Sequence, residues 1–342
     1  MAAVSWTAAP ALAQETNPNA ALDVPVPSVE NADAATEKNP PAEICRTDES
    51  SDALIDRVHA GLYRITCSSI SWFDGLFGER RFTQEYRSTN GSLTVGSLWS
   101  QRRGFDKVLR FKAHVYLPQL SEKFHAFIVR SNRDDFVTES QSELYSLPNQ
   151  FNRGTDDDVF LGLGYNEPMR KHGSFSADTG VGLQFPLDPY ARGSYRFARP
   201  FGEHNLVRFR ESIFWENIEG FGTTAVVDWD HAFNLMSLLR WTNSGTYSQN
   251  SYGLRWFSVL TLFHSMTYSR AFAYEAAANG RTDLPVPLED YGVAVIYRQR
   301  VWREYLVLEL RTGVDWPRQF LEERRRANLN AALAFELRYG RP

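Results

Sequence analysis

The sequence lacks any long, uncharged apolar run. A helix that crosses a membrane needs about 20 consecutive, predominantly apolar residues. No stretch of the 342 residues approaches that length, and the mean hydropathy is −0.40. A protein that spans a membrane with helices is therefore excluded.

Lysine is scarce, with five residues among the 37 basic ones: Lys38, Lys107, Lys112, Lys123 and Lys171. Nearly all of the positive charge is therefore arginine, whose planar guanidinium stays ionised and binds carboxylates and phosphates as a fork. This favours partly buried charge networks over ordinary surface solubility. The net charge of −4 and the pI near 6.0 give no indication of nucleic-acid binding, so no nucleic acid is expected as a partner.

Cysteine is nearly absent, since Cys45 and Cys67 are the only two. They flank a segment, residues 52–65, whose apolar side chains recur at helical spacing. These side chains are Leu54, Ile55, Val58 and Leu62. A metal site would need more ligands than the two thiols and His59 supply. We expect a Cys45–Cys67 disulfide that clips a helix too short to be stable alone.

The first residues indicate export. Residues 2–13 are small and apolar and end in Ala11-Leu12-Ala13, an A-x-A cleavage signal. No basic segment precedes them, so we interpret residues 1–13 as the remnant of a signal peptide; the alternative is a disordered Ala-rich tail. Residues 14–42 are rich in Ala, Pro, Asn, Asp and Glu and are predicted to be a disordered periplasmic linker. Residues 43–80 are predicted to form a periplasmic helix segment.

Aromatic residues, in contrast, are abundant at 14% of the chain. Many aromatic side chains with a negative mean hydropathy are typical of a lipid-facing barrel, in which alternate residues face the lipid and the lumen. A soluble β-sandwich or soluble barrel fits this composition equally well. The pattern along the chain must distinguish the two.

Alternation with a period of two runs through the chain from about residue 92 onward. The last predicted strand shows it most clearly, because one face carries Leu329, Ala331, Leu333, Phe335, Leu337 and Tyr339. The opposite face carries Asn328, Asn330, Glu336 and Arg338. In residues 205–216 the same pattern holds, although Glu211 interrupts the apolar face.

The polar faces carry so much Arg, Glu and Asp that a charged lumen surrounded by lipid explains them better than a half-buried soluble sheet. We therefore predict an all-β fold, an up-and-down antiparallel transmembrane β-barrel in the outer membrane, over residues 90–342. About 14 strands are expected, with 12 possible because the first and fourth are weak. The predicted strands are 92–101, 107–117, 123–132, 157–165, 174–185, 190–199, 205–216, 222–230, 234–243, 253–264, 267–277, 291–301, 304–315 and 327–339.

The predicted connections alternate in length. Tight turns at 230–234, 264–267 and 301–304 are assigned to the periplasmic side. Longer connections at 132–156, 278–290 and 315–327 then fall outside the cell. An even number of strands with both termini in the periplasm is typical of bacterial single-chain barrels.

Several segments resemble a family of uncharacterised proteobacterial outer-membrane β-barrel proteins. They are Trp72-Phe73-Asp74-Gly75-Leu76-Phe77-Gly78, the hairpin LRFKAHVYLPQLSEKFHAFI, the segment FGTTAVVDWDHAFNLMSLLRWTNSGTYSQNSYGLRW, and LEDYGVAVIYRQRVWREYLVLELRTGVDWPR. The resemblance covers about three quarters of the chain and implies membrane location and a barrel, without an activity. One departure is the end of the chain. Outer-membrane barrels usually end in Phe or Trp, whereas here Tyr339 is followed by Gly340-Arg341-Pro342.

Three local patterns contain residue types that can carry out catalysis or bind ions. His264 and Ser265 are adjacent, so a continuous strand would point them to opposite faces and separate nucleophile from base. Asn243 and Ser244 have no histidine beside them in sequence. Acidic runs at 156–158 and 134–135 lack the ligand spacing of a calcium loop, and residues 322–326 indicate a charged outer loop whose arginines could bind lipopolysaccharide phosphate. We expect no enzyme and no cofactor.

The predicted inward faces carry an excess of basic residues over acidic ones. The lumen-lining charges are Arg110, Lys112, Arg208, Arg210, Arg298, Arg300, Glu309, Arg311, Glu336 and Arg338, with Arg192, Arg196, Arg240, Arg255, Asp228 and Asp230 on the same faces. Unpaired, these arginines would attract anions into a pore. Paired, they would fill and stiffen a closed barrel.

The leading hypothesis is therefore a pore whose Arg-rich lumen favours small anionic solutes. The first alternative is a closed structural or assembly barrel whose periplasmic segment binds a protein partner, and the second is a lipid hydrolase. In each case the expected partners are outer-membrane lipid, lipopolysaccharide and the outer-membrane assembly machinery.

Overall fold

A computed structural model describes residues 90–116, 123–140, 157–170, 173–302 and 305–339. The predictions for residues 1–13, 14–42 and 43–80, including the Cys45–Cys67 disulfide, lie outside the described residues. Within the described ranges, no helix has the length and apolar character needed to cross a membrane.

Fourteen antiparallel strands close into one barrel, in which each strand pairs with its neighbours in sequence and β1 pairs with β14. The strands are β1 Asn90–Ser100, β2 Gly104–Tyr116, β3 Phe124–Asn132, β4 Asp157–Arg170, β5 Gly173–Gly182, β6 Asp188–Phe201, β7 Asn205–Glu216, β8 Gly220–Asn234, β9 Ser237–Ser248, β10 Arg255–Thr267, β11 Arg270–Arg281, β12 Asp290–Arg300, β13 Leu306–Asp315 and β14 Asn328–Tyr339. One short helix, α1 Arg133–Thr138, follows β3. The predicted all-β barrel and its count of 14 strands are confirmed.

The burial pattern of the strands is inverted relative to that of a soluble sheet. On β14, Leu333 and Phe335 are 44% and 45% exposed, whereas Asn330 and Glu336 are 3% and 6% exposed. A closed barrel that presents leucine and phenylalanine outward and buries its charges inward is stable when its surroundings are lipid. The chain is thus a transmembrane barrel of the outer-membrane type, and the soluble alternative is excluded.

The two ends of the barrel differ in the length of their connections. Residues 202–204, 235–236 and 268–269 are short turns at the end where β1 begins and β14 ends. The connections 133–156, 282–289 and 316–327 lie at the opposite end and are longer. The long connections thus lie at the end where the prediction placed them, although 101–103 and 217–219 are short turns at that same end.

Two predicted turns are misplaced by a few residues. Residues 230–234 belong to β8 and residues 264–267 to β10, so the turns follow them. The alternation continues through Ala232, which is buried, to Phe233, which is exposed. Each strand end also carries a register shift, between Ala232 and Asn234 and between Ser265 and Thr267. Such bulges break the regular pattern and shorten the strand that can be recognised from sequence.

Exposed aromatic side chains gather near both ends of the strands. The outer end carries Phe105, Trp215, Phe221 and Tyr247, and the periplasmic end carries Phe201, Phe233, Tyr268, Tyr305 and Tyr339. Aromatic girdles at the two membrane–water interfaces are typical of transmembrane barrels, because amphipathic rings are favoured at the headgroup level.

We predict that arginine at the middle of the outward face destabilises the barrel. Leu333→Arg should lower the free energy of unfolding by about 2–4 kcal/mol, since the guanidinium meets hydrocarbon, and Met236→Arg in a periplasmic turn should cost about 0–1 kcal/mol. Leu333 and Met236 are both substantially exposed. Equilibrium urea unfolding in lipid vesicles measures both, and equal effects of the two variants would contradict a lipid-facing wall.

Candidate functional site in the barrel lumen

The inner wall carries the charged side chains. Arg208, Arg210, Arg298, Glu309, Arg311 and Glu336 are buried, and Arg110, Lys112, Arg300 and Arg338 are partly buried. Each alternates with outward apolar neighbours on its own strand, so the register brings all ten onto the inward face. These are the ten residues that the sequence assigned to the lumen.

One group of charges lies on the wall formed by β11 to β14. Arg298 on β12 contacts Glu309 on β13 at 3.1 Å and also Glu336 on β14. Arg338 donates to the same Glu336 at 2.8 Å. Arg311 donates to Glu275 on β11 at 2.9 Å. Arg298 and Arg311 therefore reach carboxylates one or two strands away on the same wall, and Arg338 reaches one on its own strand.

A second group lies on β7 to β9 around Asp230. This carboxylate is fully buried and accepts from Arg240 through both oxygens, one at 2.8 Å, while Arg208 lies 2.9 Å away. The guanidinium of Arg240 also lies over the ring of Phe263 at 5.9 Å. Phe263 belongs to an apolar cluster on the periplasmic half of the inner wall, formed by Ala232, Leu238, Phe263, Ala271, Ala273 and Ile296.

The chain after β3 folds inward and not outward. We call residues 133–140 the inward segment: helix α1 and the two residues after it. Asn132 caps the helix by accepting from the backbone N–H of Asp135. The helix contacts β7 and β8, which lie four and five strands away from β3, so the segment lies inside the lumen.

Aromatic packing holds the helix of the inward segment against the wall. The ring of Phe136 stacks on Phe160 with centroids 4.5 Å apart and meets Tyr190 edge to face at 5.7 Å. Val137 is fully buried in the same cluster, which also includes Phe127 and Phe214. The helix has fewer than two turns and would not be stable alone. Buried aromatic and aliphatic contacts of this kind hold it in a fixed position.

Glu139 ends the helix and is the most heavily contacted charge of the lumen. Its carboxylate accepts from the hydroxyls of Ser194 and Ser212 at 2.6 and 2.7 Å and from Arg196 at 3.2 Å. Arg192 lies 3.6 Å from the same carboxylate. Arg210 donates to the backbone carbonyl of Glu139 at 2.6 Å.

The backbone of Glu139 is left-handed, with φ of 50°. This conformation is unfavourable for a residue with a side chain and persists where surrounding contacts over-determine it. The contacts to β6 and β7 supply that constraint. Glu139 therefore fixes the end of the inward segment to the wall.

The start of the inward segment is also held by charge. Arg133 pairs with Asp188 at the start of β6 and lies 3.4 Å from Glu216 at the end of β7. Nearby, Arg192 also binds Asp178 on β5 at 2.5 Å. The segment is thus tied to β6 and β7 at both of its ends.

A cavity of about 230 Å³ lies between the tip of the inward segment and the opposite wall. Thr138 and Ser140 line it from the segment. The facing wall of β9 to β12 contributes Ser244, Thr246, Arg255, Phe257, Asn279 and Asp290. We call it the outer cavity, because these residues lie near the outer ends of their strands. Its lining is dominated by hydroxyl, amide and charged groups.

The ion pairs run along the wall and not across the lumen. Among the described residues, the ion pairs that join two different strands link strands one or two positions apart. Glu139 and Arg133 pair with the part of the wall nearest to them. The sequence predicted an excess of arginine over acidic residues on the inward faces. In the structure these arginines pair with carboxylates that had not been predicted to line the lumen. These are Glu139, Asp157, Asp178, Asp188, Glu216 and Glu275.

The alternation of inward and outward residues along each strand could have identified most of these carboxylates. Asp178, Glu216 and Glu275 alternate with the buried residues of their strands, so the pattern already assigned them to the inward face. Glu139 carried no such signal. It lies in a connection, where alternation has no meaning.

Two further ion pairs lie at the exposed outer mouth, Arg281 with Asp283 at 2.8 Å and Arg102 with Glu323 at 3.2 Å. The hydrogen bond from Arg281 holds the pKa of Asp283 below its usual value. The backbone N–H of Gln319 lowers the pKa of Glu323 in the same way, with the Arg102 charge adding to the effect. Exposed pairs of this kind contribute little to stability.

The residues of the other candidate sites do not come together. His264 is exposed on the outer face and Ser265 is buried on the inner face, so the two point apart, as the sequence indicated. His264 instead lies 3.1 Å from the hydroxyl of Ser237 at the periplasmic rim. Asp157, from the acidic run, pairs with Arg110 at 3.0 Å. In the part of the chain that the structure describes, no group of three His, Cys, Asp or Glu residues could hold a metal ion.

No protein-family model and no curated protein sequence matches the chain. Among solved structures it is similar to the outer membrane channel DcaP of Acinetobacter baumannii, with a TM-score of 0.47 and 8% identity over 75% of this chain and 99% of that one. It is similar to the anion-selective porin from Comamonas acidovorans, with a TM-score of 0.43 and 7% identity over 74% and 100%. A loop-deletion mutant of OmpT of Vibrio cholerae gives 0.42 and 8% over 73% and 98%. At these scores the comparisons add no argument to the barrel described above.

We predict that the buried pairs of the wall stabilise the barrel far more than the exposed pairs of the mouth. Asp230→Asn leaves Arg208 and Arg240 without their shared counter-charge and should cost about 3–5 kcal/mol of unfolding free energy. Asp283→Asn, which removes the exposed partner of Arg281, should cost less than about 1 kcal/mol. Urea unfolding of the two variants in vesicles compares them directly. Similar losses would show that the wall pairs are not the buried counter-charges described here.

Proposed function

We propose that the chain forms a passive channel for small polar solutes in the outer membrane. The observation that carries the proposal is the inward segment, which lies against one side of the lumen and leaves the polar outer cavity of about 230 Å³ beside it. A lumen that is narrowed on one side, with hydroxyl and amide groups along the other, suits the passage of small hydrated molecules.

The wall pairs support a lumen with little net charge. The sequence alone left open whether the arginines are paired. Unpaired arginines would attract anions strongly, and the observed pairing weakens that attraction. A guanidinium carries five N–H donors, whereas its partner carboxylate has only two oxygens, so a paired arginine still presents donors to a passing anion. We therefore propose small anionic solutes as the finer form of the function, with a modest preference over cations.

The first test is conductance. Purified protein in planar bilayers should open steady channels, and a salt gradient should give a small reversal potential of the sign that indicates anions. Glu139→Ala should raise the conductance and admit larger solutes, because Arg192 and Arg196 lose the carboxylate that ties the inward segment to them, as do the hydroxyls of Ser194 and Ser212. Glu323→Ala, at the exposed mouth, serves as the matched control and should leave the conductance unchanged.

A folded wild-type protein that conducts nothing would contradict the channel. A Glu139→Ala variant that conducts like the wild type would instead contradict the role given to the inward segment. Heat-dependent migration on gels shows that each variant is folded before it is measured.

A closed barrel is the second candidate function, and one observation favours it. Leu238 and Phe263, which point inward on the periplasmic half of the wall, are fully buried. A closed barrel would act as a structural or assembly component whose predicted periplasmic segment binds a protein partner. Deletion of residues 14–80 separates two versions of this idea, since a plugged pore should begin to conduct and a docking module should lose its partner without any gain of conductance.

The remaining parts of the proposal concern export and partners. We propose that a signal peptide exports the chain, that a Cys45–Cys67 disulfide clips a periplasmic helix, and that the barrel belongs to the proteobacterial family that its segments resemble. We also propose outer-membrane lipid, lipopolysaccharide and the assembly machinery as partners.

A further inference from the structure

The outward face of β7 carries a charged side chain. Glu211 on β7 is exposed and shares the outward face with Val207, Phe209, Ile213 and Trp215. Its cross-strand neighbours are Tyr195 on β6 and Ala225 on β8. No described residue hydrogen-bonds or pairs with its carboxylate. A charge on this face of a transmembrane barrel is unfavourable, and charged residues inside a membrane usually have a partner.

Glu211 also lies away from the membrane–water interfaces. Trp215, four residues further along β7, is part of the outer aromatic girdle. Four residues in the other direction, Val207 pairs with Trp229 near the periplasmic end of β8. The carboxylate is therefore in the middle of the outward face, where water cannot solvate it as it would solvate a rim residue.

Arg130 on β3 is a complementary charge on the same outward face. It alternates with Phe124, Ala126 and Ile128, while Val129 beside it is buried and points inward. It pairs across the sheet with Phe111, six residues along β2 from the girdle residue Phe105. Arg130 forms no hydrogen bond or ion pair with the described residues, and its Nε is buried without a partner.

The two charges cannot meet within one barrel. Strands β4, β5 and β6 separate β3 from β7, so at about 4.8 Å per strand they lie roughly 19 Å apart along the curved wall. The outward face beside Glu211 includes small residues, since Gly193, Ala225 and Gly245 occupy neighbouring outward positions, while Tyr195 lies directly opposite on β6. Small residues let a second barrel wall approach closely.

We propose that this face binds a second copy of the chain, with Glu211 of one copy against Arg130 of the next. Opposite charges at comparable positions on the outward wall satisfy each other when two copies pack side by side. The contact joins two different faces, so it is head-to-tail, and repeated contacts of this kind form a ring when the rotation between copies closes. The proposal does not depend on whether the lumen conducts.

Chemical cross-linking tests the contact. Glu211→Cys and Arg130→Cys are placed in separate full-length chains, co-expressed, and treated in outer membranes with a short, membrane-permeant reagent that joins two thiols. A cross-linked dimer should form when both chains are present. The parent chain, with only Cys45 and Cys67, sets the background.

A matched control uses two outward positions the same number of strands apart. Leu260→Cys on β10 and Leu333→Cys on β14 provide it. Dimer formation no greater than in this control would overturn the proposal. So would dimers from the Glu211→Cys chain alone, or a cross-link from Glu211→Cys to a different protein.

Charge exchange provides a second measurement. In lipid nanodiscs, light scattering should show the wild type as an oligomer, and Glu211→Gln or Arg130→Gln should weaken the association roughly three- to twentyfold. The double variant Glu211→Arg with Arg130→Glu should restore it. A wild type that is monomeric in nanodiscs, or a double variant no better than the single ones, would overturn the proposal.

Discussion

Every guanidinium buried in this lumen needs a carboxylate nearby, on the same part of the barrel wall. The desolvation of a buried charge costs several kcal/mol unless a well-placed counter-charge compensates it. Antiparallel register meets this need, because it places the inward residues of adjacent strands opposite each other. Arg298 opposite Glu309 and Arg240 opposite Asp230 are examples. The same requirement explains why Glu139 is drawn into the lumen, since Arg192, Arg196 and Arg210 converge on the place where it binds.

The outward wall follows the opposite rule, since it carries apolar side chains where the inward wall carries paired charges. The two rules together specify the barrel. Leu333 and Phe335 face the lipid while Glu336 faces the lumen, so a slip of one residue in register would turn every charge of β14 into hydrocarbon. Strand pairing is therefore strongly specified over most of the wall. Glu211 and Arg130 break the rule for the outward face, which is why an explanation for them lies outside the single barrel.

Much of the fold could be predicted from the sequence, because alternation reports both the strand and its inward face. All fourteen strands and the inward parity of residues such as Arg311 and Glu336 follow from it. Turn positions at β8 and β10 were wrong, because bulges near Asn234 and Thr267 interrupt the period of two. The inward segment could not be predicted. Its position depends on Phe136 and Glu139 meeting side chains from β4 to β7, contacts between residues distant in sequence that no local pattern records.

We propose a lumen that stays open beside the inward segment, and the accessibility of thiols placed in it tests this proposal. Asn279→Cys places a thiol in the outer cavity, and Tyr252→Cys in an exposed outer loop is the control. A small, charged, membrane-impermeant thiol reagent is applied to one side of the membrane at a time. If the lumen is open, Asn279→Cys should react from both sides and Tyr252→Cys only from the outer side. Reaction of Asn279→Cys from the outer side alone would show that the lumen is closed below the cavity and would contradict the channel.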